Sequence, residues 1–246
     1  MKRTLCIDVG GTGIKAALVS HDGELLSERI KINTPYPCPP ERLLETFKEI
    51  AATFDAYDRV TIGFPGLVRG GVISHVPALS RSTYGGKTDK KLQDLWRGFS
   101  LQNTSTEVFA APTLVANDAD VQGAAVIYGQ GFEFVMTLGT GVGTALFNDG
   151  QLLPHLELSH ARFRNRESFD IQLGNAARKQ IGNARWTKRV IKAIEAFDSF
   201  LYFDHIHIGG GNAEFLRSLT LPPKARIVSN VAGLLGGVRL WNIENK

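Results

Sequence analysis

Cysteine is scarce in this chain of 246 residues, which contains only Cys6 and Cys38. Two thiols cannot build a framework of several disulfide bridges, and they do not make up a structural zinc set. A chain of this length can bury a core large enough to fold without such crosslinks. Cys6 lies within an apolar run, so we expect it to be buried. The scarcity of cysteine favours a reducing compartment, and we expect the protein to be cytoplasmic.

Long hydrophobic runs are also missing. No apolar stretch approaches the roughly 20 residues that cross a bilayer. The basic start of the chain does not continue into an export signal, because its apolar stretch ends at Asp8. We therefore expect no membrane partner. The formal net charge of +4 is compatible with an anionic ligand, although an excess of this size does not by itself predict one.

What the chain does contain is an internal duplication. Residues 4–32 and 133–156 both follow the order strand, glycine turn, strand, turn, strand. The predicted strands lie at 5–9, 14–20 and 25–32 in the first copy, and at 134–138, 142–147 and 151–154 in the second. The repetition predicts an α/β protein with two lobes of similar topology that face a cleft.

Apolar spacing predicts the remaining elements. Helices are expected at 41–54, 119–128, 168–182, 184–203 and 231–241, and further strands at 60–64, 113–116 and 205–208. The polar segment 69–104 is interpreted as a long loop with one short helix. We expect a small lobe of residues 1–117 plus a C-terminal helix at about 231–246, and a large lobe of residues 118–230.

The first glycine turn has the composition of a phosphate-binding loop. Glycine lets backbone amides approach a phosphate without a Cβ in the way. Thr12 and Lys15 can add polar contacts, and Asp8 can hold Mg²⁺ through water. An ordinary glycine hairpin is the alternative. The candidate residues are Asp8, Gly10, Gly11, Thr12, Gly13 and Lys15.

Two further glycine-rich turns follow strands. One occupies the same strand-to-strand position in the second repeat, so that two opposed loops could grip a phosphoryl chain. The other follows the strand at 205–208 and could lie against a nucleotide base or ribose, although this signal is weak alone. The candidate residues are Gly139, Thr140, Gly141 and Gly143 in the one, and Gly209, Gly210 and Gly211 in the other.

Asn117 and Asp118 lie where a predicted strand ends and a helix begins. A carboxylate at this position can accept the proton of a sugar hydroxyl as that hydroxyl attacks phosphorus. The alternative is that Asp118 only caps the helix. Asp120 is interpreted as a solvated bystander.

Glu157 and His160 form a second polar pair that could bind neighbouring sugar hydroxyls. A metal site that also includes His155 is one alternative, and a polar surface is another. Basic residues are dense on the helices after position 178, where they either form solvated helix faces or bind a long anionic phosphate donor. These are Arg178, Lys179, Arg185, Lys188, Arg189 and Lys192.

Six motifs follow one another along the chain. They are Asp8-Val-Gly-Gly-Thr12, Gly63-Phe-Pro-Gly66, Asn117-Asp118, Leu138-Gly-Thr-Gly141, Glu157-x-x-His160 and Gly209-Gly-Gly211. In this order they resemble the ROK-family sugar kinases, and the short length and the 139–147 stretch look most like the polyphosphate glucokinase and glucokinase type. The resemblance implies the actin-like ATPase (ribonuclease H-like) fold, with a duplicated βββαβα core and a central cleft.

The resemblance also implies roles for individual residues. Asp118 would be the catalytic base, and the sugar contacts would come from Gly66, Asn117, Asp118, Glu157 and His160. The phosphoryl donor would be ATP or polyphosphate, bound with Mg²⁺. The acceptor would be a hexose such as glucose. The resemblance is also compatible with a homodimer.

The chain departs from the family pattern at three places. The cysteine-rich zinc motif is absent, so we expect no zinc. Ser159 replaces a glycine, and the segment from Val76 to Leu79 stands where the family usually has a sugar-binding asparagine. A silent sugar-binding or regulatory protein is therefore the alternative function. Relatives that bind DNA carry an added helix-turn-helix segment. Asp8 already belongs to the first phosphate-binding motif, so there is no room for such a segment upstream, and we expect no nucleic-acid partner.

Overall fold

The structure is a computed structural model that describes residues 2–228 and 232–244. Within these residues no helix combines the length and the apolar character that crossing a membrane requires. The chain divides into two units, one of Met1–Ala125 with Gly233–Lys246 and the other of Val126–Ala232. The first unit thus keeps most of the helix that begins at Asp118, whereas the sequence analysis placed the division before that residue.

The described residues form fifteen strands and eight α-helices. The strands are β1 (Arg3–Val9), β2 (Gly13–Ser20), β3 (Ile30–Asn33), β4 (Arg59–Phe64), β5 (Leu67–Arg69), β6 (Val72–His75), β7 (Phe99–Ser100), β8 (Thr113–Asn117), β9 (Phe132–Leu138), β10 (Val142–Asn148), β11 (Gln151–Leu152), β12 (Arg162–Arg164), β13 (Glu167–Ser168), β14 (His205–Gly209) and β15 (Ala225–Ile227). The helices are α1 (Pro40–Ala51), α2 (Lys90–Trp96), α3 (Leu101–Phe109), α4 (Asp118–Val126), α5 (Phe169–Leu173), α6 (Asn175–Ile181), α7 (Asn183–Leu201) and α8 (Ala232–Glu244).

The first unit is built on a five-stranded sheet in the order β3-β2-β1-β4-β8. β1 pairs antiparallel with β2 and parallel with β4, and β4 pairs parallel with β8. All six residues of β4 are buried, as expected for a strand covered on both faces. α1 presents Leu43, Phe47 and Ile50 to the apolar core beside this sheet.

The second unit repeats this arrangement. Its sheet has the order β11-β10-β9-β14-β15, and its strand directions match those of the first sheet pair by pair. α7 buries Trp186, Val190 and Phe197 in the core of this unit. The predicted duplication is confirmed, and the glycine turns occupy equivalent β1–β2 and β9–β10 connections.

A buried polar chain holds the amino ends of β9 and β14 in the second unit. His207 Nε2 lies 2.5 Å from Glu133 Oε2, and Arg226 Nε donates to His207 Nδ1 at 2.7 Å. Because Nδ1 accepts, the imidazole is neutral with its proton on Nε2. Glu133 also accepts the backbone amides of Tyr128 and Gly129. His207 is therefore structural, as its position on a strand predicts.

Segment 69–104 is the largest difference from the sequence prediction. The expectation of a long loop with one short helix was wrong, because β5, β6 and β7 form a small sheet there. A turn at Gly70 and Gly71 joins β5 to β6, and residues from 101 onward belong to α3. These strands are only two to four residues long, which is too short for the sequence to display an alternating pattern.

Three smaller differences concern element ends. The strand expected at 25–32 is reduced to β3, with a single bridge from Leu25 to Val19. The helix expected at 168–182 is divided by Gly174, whose extended backbone separates α5 from α6. The C-terminal helix is present as α8, while the predicted positions 231, 245 and 246 lie outside the described residues.

Candidate active site

The first glycine turn is a tight hairpin between β1 and β2. Its closing hydrogen bond runs from the Gly10 amide to the Gly13 carbonyl at 3.1 Å. Two side chains from beyond β3 support it: Thr34 Oγ1 donates to the Gly10 carbonyl at 2.5 Å, and the Tyr36 hydroxyl donates to the Gly11 carbonyl at 2.7 Å. The loop carbonyls are thus held by the protein.

The backbone amides at the tip of this turn, unlike its carbonyls, are not bound by other described residues of the protein. Within the part of the chain that the structure describes, the N–H groups of Gly11 and Thr12 donate to no protein acceptor. Gly11 is half-buried and Thr12 is exposed. Because a backbone amide needs a partner, two consecutive unused donors are suited to an anionic group.

Asp8 and Lys15 face each other across this hairpin. They are register partners on β1 and β2, and Lys15 Nζ lies 3.2 Å from Asp8 Oδ2. The Asp8 side chain is one-quarter exposed and that of Lys15 about half exposed, at 25% and 51%. One partly exposed carboxylate matches magnesium that is held through water.

The second glycine turn has the same topology but other supports. Gly139 N donates to the Gly141 carbonyl at 2.9 Å, and Asp170 Oδ1 accepts the Val142 amide at 2.7 Å. The Asn175 amide donates to the carbonyls of Gly139 and Thr140 at 3.0 and 3.2 Å. Among the described residues, the amides of Thr140 and Gly141 have no protein acceptor.

The third glycine turn packs directly against the second. Gly210 has φ +84°, and a Cβ there would lie 2.3 Å from the Leu138 carbonyl oxygen. Asn212 Nδ2 donates to the Gly139 carbonyl at 3.0 Å. The structure therefore brings the candidate phosphate residues of the second unit together, and glycine is required at 210 by close approach and by φ.

Asn117 and Asp118 stand at the carboxyl end of β8, where α4 begins. Asn117 Nδ2 donates to the Gly66 carbonyl at 3.0 Å, and Asn117 Oδ1 accepts the Ala119 amide at 2.8 Å. Gly66 has no room for a side chain, since a Cβ would lie 2.4 Å from the His75 carbonyl oxygen. The first unit thus joins Gly66, Asn117 and Asp118 in one cluster.

The capping alternative for Asp118 is weakened by this geometry. Asp118 Oδ1 accepts the Ala119 amide at 2.9 Å, but Asn117 supplies the same contact. Asp118 is half-buried, as suits a group that reaches a substrate. The interpretation of Asp120 as a solvated residue was wrong, because its side chain is buried at the first turn of α4.

Glu157 and His160 lie around a short 3₁₀ turn, Leu158–His160, in the second unit. His160 Nε2 and His155 Nε2 lie 3.8 and 3.7 Å from the two Glu157 oxygens. His155 is almost fully buried, whereas the His160 side chain is 53% exposed. Ser159, which replaces a family glycine, points inward at 1% exposure.

The metal alternative for this group finds no support. Among residues 2–228 and 232–244 there is no set of three or more histidine, cysteine or acidic side chains that could hold a metal ion. Both cysteines are buried, and burial raises the pKa of Cys6 and of Cys38 to about 12. A thiolate at either position is therefore disfavoured at neutral pH.

The segment that replaces the family's asparagine is part of the core of the first unit. Val76 and Leu79 are buried, and the Ala78 carbonyl accepts the Tyr36 hydroxyl at 3.2 Å. This segment presents backbone and apolar groups where an amide side chain was expected.

Comparisons with known proteins agree with this architecture. A model of the ROK family matches residues 4–155. The chain belongs to the ROK family. The polyphosphate glucokinase of Mycobacterium tuberculosis (strain ATCC 25618 / H37Rv) is 28% identical over an alignment that covers 94% of this chain and 88% of that protein.

Solved structures extend the likeness to the full chain. The inorganic polyphosphate/ATP-glucomannokinase from Arthrobacter sp. strain KM is 27% identical, with a TM-score of 0.80, and the match covers 100% of this chain and 99% of that one. The ROK glucokinase from Streptomyces griseus, solved with glucose and AMPPNP, is 18% identical, with a TM-score of 0.70 over 97% and 98% of the two chains. The fold is thus the actin-like ATPase fold.

The supports of the glycine turns were missed by sequence reasoning. The residues that support the turns lie between 24 and 73 positions away from the carbonyls or amides that they bind: Thr34, Tyr36, Asp170 and Asn212. No local motif marks such contacts. Only Asn212 follows a recognised glycine turn directly.

Proposed function

We propose that the protein is a sugar kinase that transfers a phosphoryl group from ATP or polyphosphate to a hexose hydroxyl, with glucose as the first candidate. The observation that carries this proposal is the repeated hairpin, which leaves two consecutive backbone amides without a protein acceptor in each described unit. Two such turns in one chain suit a donor with several phosphates.

The comparisons support the same chemistry. A ROK relative at 28% identity is named a polyphosphate glucokinase, and a solved structure at 27% identity is named a polyphosphate/ATP-glucomannokinase. Both names combine a phosphate-chain donor with a hexose acceptor.

For the donor, we assign the phosphates to the glycine turns and to Thr12 and Lys15. Asp8 fits a magnesium ion held through water, because it is a single partly exposed carboxylate on the phosphate-binding turn. When bound, this ion would neutralise charge on the donor phosphates. The turn at Gly209, Gly210 and Gly211 is assigned to the remaining part of the donor.

For the acceptor, we assign the role of base to Asp118. The hydroxyl oxygen attacks the terminal phosphorus, its proton passes to the Asp118 carboxylate, and the bond from phosphorus to the leaving phosphate oxygen breaks. General-base assistance of this kind contributes roughly 100- to 10,000-fold in rate. Asn117 fixes the position of Asp118 and of the Gly66 backbone.

We assign Glu157 and His160 to sugar hydroxyls. His155 lies against Glu157 from its buried side and restricts the orientation of the carboxylate. The exposed His160 ring is the more adaptable partner. With no asparagine between 76 and 79, fewer side-chain contacts orient the sugar, so a hexose range wider than glucose is expected.

The proposal is tested by a coupled assay of the purified protein with glucose and Mg²⁺, run in parallel with ATP and with polyphosphate. Formation of glucose 6-phosphate is expected with at least one donor. Sugar binding by calorimetry without phosphate transfer from either donor, across glucose and mannose, would favour the silent binding protein instead.

A further inference from the structure

The amino-terminal half of α7 carries a basic face. Arg185, Lys188, Arg189 and Lys192 recur at the i, i+3, i+4 and i+7 spacing that aligns side chains along one side of a helix. Arg185, Lys188 and Lys192 are exposed. At a rise of 1.5 Å per residue, their backbone positions extend over about 10 Å. Glu195, one turn further on, ends the run.

A short hairpin carries three further arginines, of which Arg164 lies close enough to Arg189 for their charges to interact. Arg162 and Arg164 lie on β12 and Arg166 lies in the following turn, and all three are exposed. Arg189 joins α7 to α5, because its guanidinium donates to the Gln172 carbonyl at 3.0 Å, and it is close enough to Arg164 of the hairpin to feel that charge. Burial first and the Arg164 charge second lower the pKa of Arg189. We call these seven residues the basic stripe: Arg162, Arg164, Arg166, Arg185, Lys188, Arg189 and Lys192.

The basic stripe is not neutralised within the protein. In the described part of the chain, none of its seven side chains has a carboxylate within ion-pair distance. Two acidic groups lie nearby: Glu167, whose charge reaches Arg189, accepts from the Gln172 amide, and Asp170 accepts from the Val142 amide. Like charges gathered without partners repel one another, and an anionic chain would remove that repulsion.

Arg178 connects this region to the second glycine turn. Its guanidinium donates to Asn175 Oδ1 at 2.9 Å and to Asn183 Oδ1 at 2.9 Å. Asn175 is the residue whose amide holds the Gly139 and Thr140 carbonyls, and Asn183 is the first residue of α7. Contacts thus run without a break from the phosphate turn to the helix that carries the basic stripe.

We propose that the basic stripe binds the distal phosphates of a polyphosphate donor whose reacting end lies at the glycine turns. This inference rests on the proposed function and specifies its donor. A polyphosphate chain offers a regular line of negative charge and no bases. The exposed positions between 185 and 192 hold no aromatic ring on which a base could stack, which disfavours single-stranded nucleic acid.

The test compares two triple variants of the full chain. Arg185→Gln with Lys188→Gln and Lys192→Gln removes three charges from the basic stripe and leaves Arg189 and its contact to Gln172 intact. The matched control, Lys48→Gln with Lys90→Gln and Lys91→Gln, removes three exposed charges from the first unit. Binding of labelled long-chain polyphosphate is measured by fluorescence anisotropy at several salt concentrations, with tripolyphosphate as the short competitor.

The stripe variant is expected to bind long-chain polyphosphate about tenfold more weakly. In a plot of the logarithm of the binding constant against the logarithm of the salt concentration, its slope should fall in magnitude by roughly 2. Each phosphate contact of a single strand contributes about 0.7 to that slope, and three charges are removed. Tripolyphosphate affinity, and KM for ATP if turnover is measurable, should change less than about twofold. The control variant should keep both the affinity and the slope.

Equal affinity for long-chain polyphosphate in the two triple variants would overturn the proposal. Displacement by single-stranded DNA at equal phosphate concentration would also overturn it, because the surface would then bind any polyanion. Binding does not depend on turnover. A wild-type protein that phosphorylates no sugar would therefore count against the proposed function while leaving the binding comparison intact.

Discussion

The two glycine turns share one topology and are stabilised in different ways. In the first, hydroxyl groups of Thr34 and Tyr36 reach in from beyond β3 and hold the loop carbonyls. In the second, the Asn175 amide holds the loop carbonyls, the Asp170 carboxylate accepts the Val142 amide, and Gly210 packs against the base of the hairpin. The exposed amides are left unused in both turns, among the described residues.

This difference shows where each turn is sensitive to substitution. The first depends on removable hydroxyl groups, so single conservative changes can loosen it. The second is held by backbone contacts and by polar side chains other than hydroxyl groups, so it should be most sensitive to a Cβ added at Gly210. Duplicated topology therefore conserves the position of the amides while the supporting contacts diverge.

Gly210→Ala should have the largest effect on stability. The added Cβ would lie 2.3 Å from the Leu138 carbonyl oxygen at a residue with φ +84°. Strain and overpacking each cost about 1–3 kcal/mol, so a loss of about 3 kcal/mol or more is expected in urea unfolding.

Gly139→Ala is the matched control, because no heavy atom lies within 4 Å of a Cβ built there. Its free energy of unfolding should stay within about 0.5 kcal/mol of wild type. Equal destabilisation by the two substitutions would contradict the account of the second turn.

Acid should weaken the second unit through His207. Burial lowers the pKa of His207, so the folded state holds the neutral ring that accepts from Arg226. A histidine whose pKa is lower in the folded state than in the unfolded state stabilises the fold while it is neutral. That stabilisation is fully present above the unfolded-state pKa of about 6.5 and is lost as the pH falls below that value. Glu133, whose pKa is lowered by its hydrogen bonds against the effect of burial, changes in the same direction.

We expect His207 to account for a loss of at most about 2 kcal/mol of the wild-type unfolding free energy between pH 7.5 and pH 5. His207→Gln should be less stable at pH 7.5 and should show a flatter dependence. His75→Gln, at an exposed position in the first unit, should retain the wild-type profile. Parallel profiles for wild type and His207→Gln would rule out this source of acid sensitivity.

Tyr36→Phe should have the smallest effect on stability, with a more visible effect on the donor. The change removes the hydroxyl that donates to the Gly11 carbonyl at 2.7 Å, with the Ala78 carbonyl at 3.2 Å as its second acceptor, and one hydrogen bond is worth about 1 kcal/mol. KM for the phosphoryl donor should rise a few-fold, while KM for glucose stays near wild type. Tyr84→Phe loses only an exposed hydroxyl and serves as the control. A rise in glucose KM alone would break the assignment of the first turn to the donor.

Sequence reasoning found the parts of the fold that repeat. Strands such as β1 and β9 are rich in apolar residues and are followed by glycine, so their signal is local. The small sheet in segment 69–104 was missed, because β5, β6 and β7 are two to four residues long and half-exposed in places.

In the candidate site, too, residues marked by local motifs could be predicted and contacts between distant segments could not. Asp118 and the glycine turns carry local motifs, so their positions could be predicted. The contacts of Tyr36 with Gly11 and of Asp170 with Val142 join distant segments, and they depend on loop paths that spacing does not encode. The burial of Asp120 was likewise decided by packing around α4.

The most direct test of the central claim is the turnover of Asp118→Asn with glucose and the better donor. An asparagine Oδ1 can still accept the Ala119 amide, so the helix start and the thermal midpoint should be preserved. We expect kcat to fall by roughly 100- to 10,000-fold with a normally folded protein. Turnover near the wild-type value would remove Asp118 from the role of base and would contradict the account of this site.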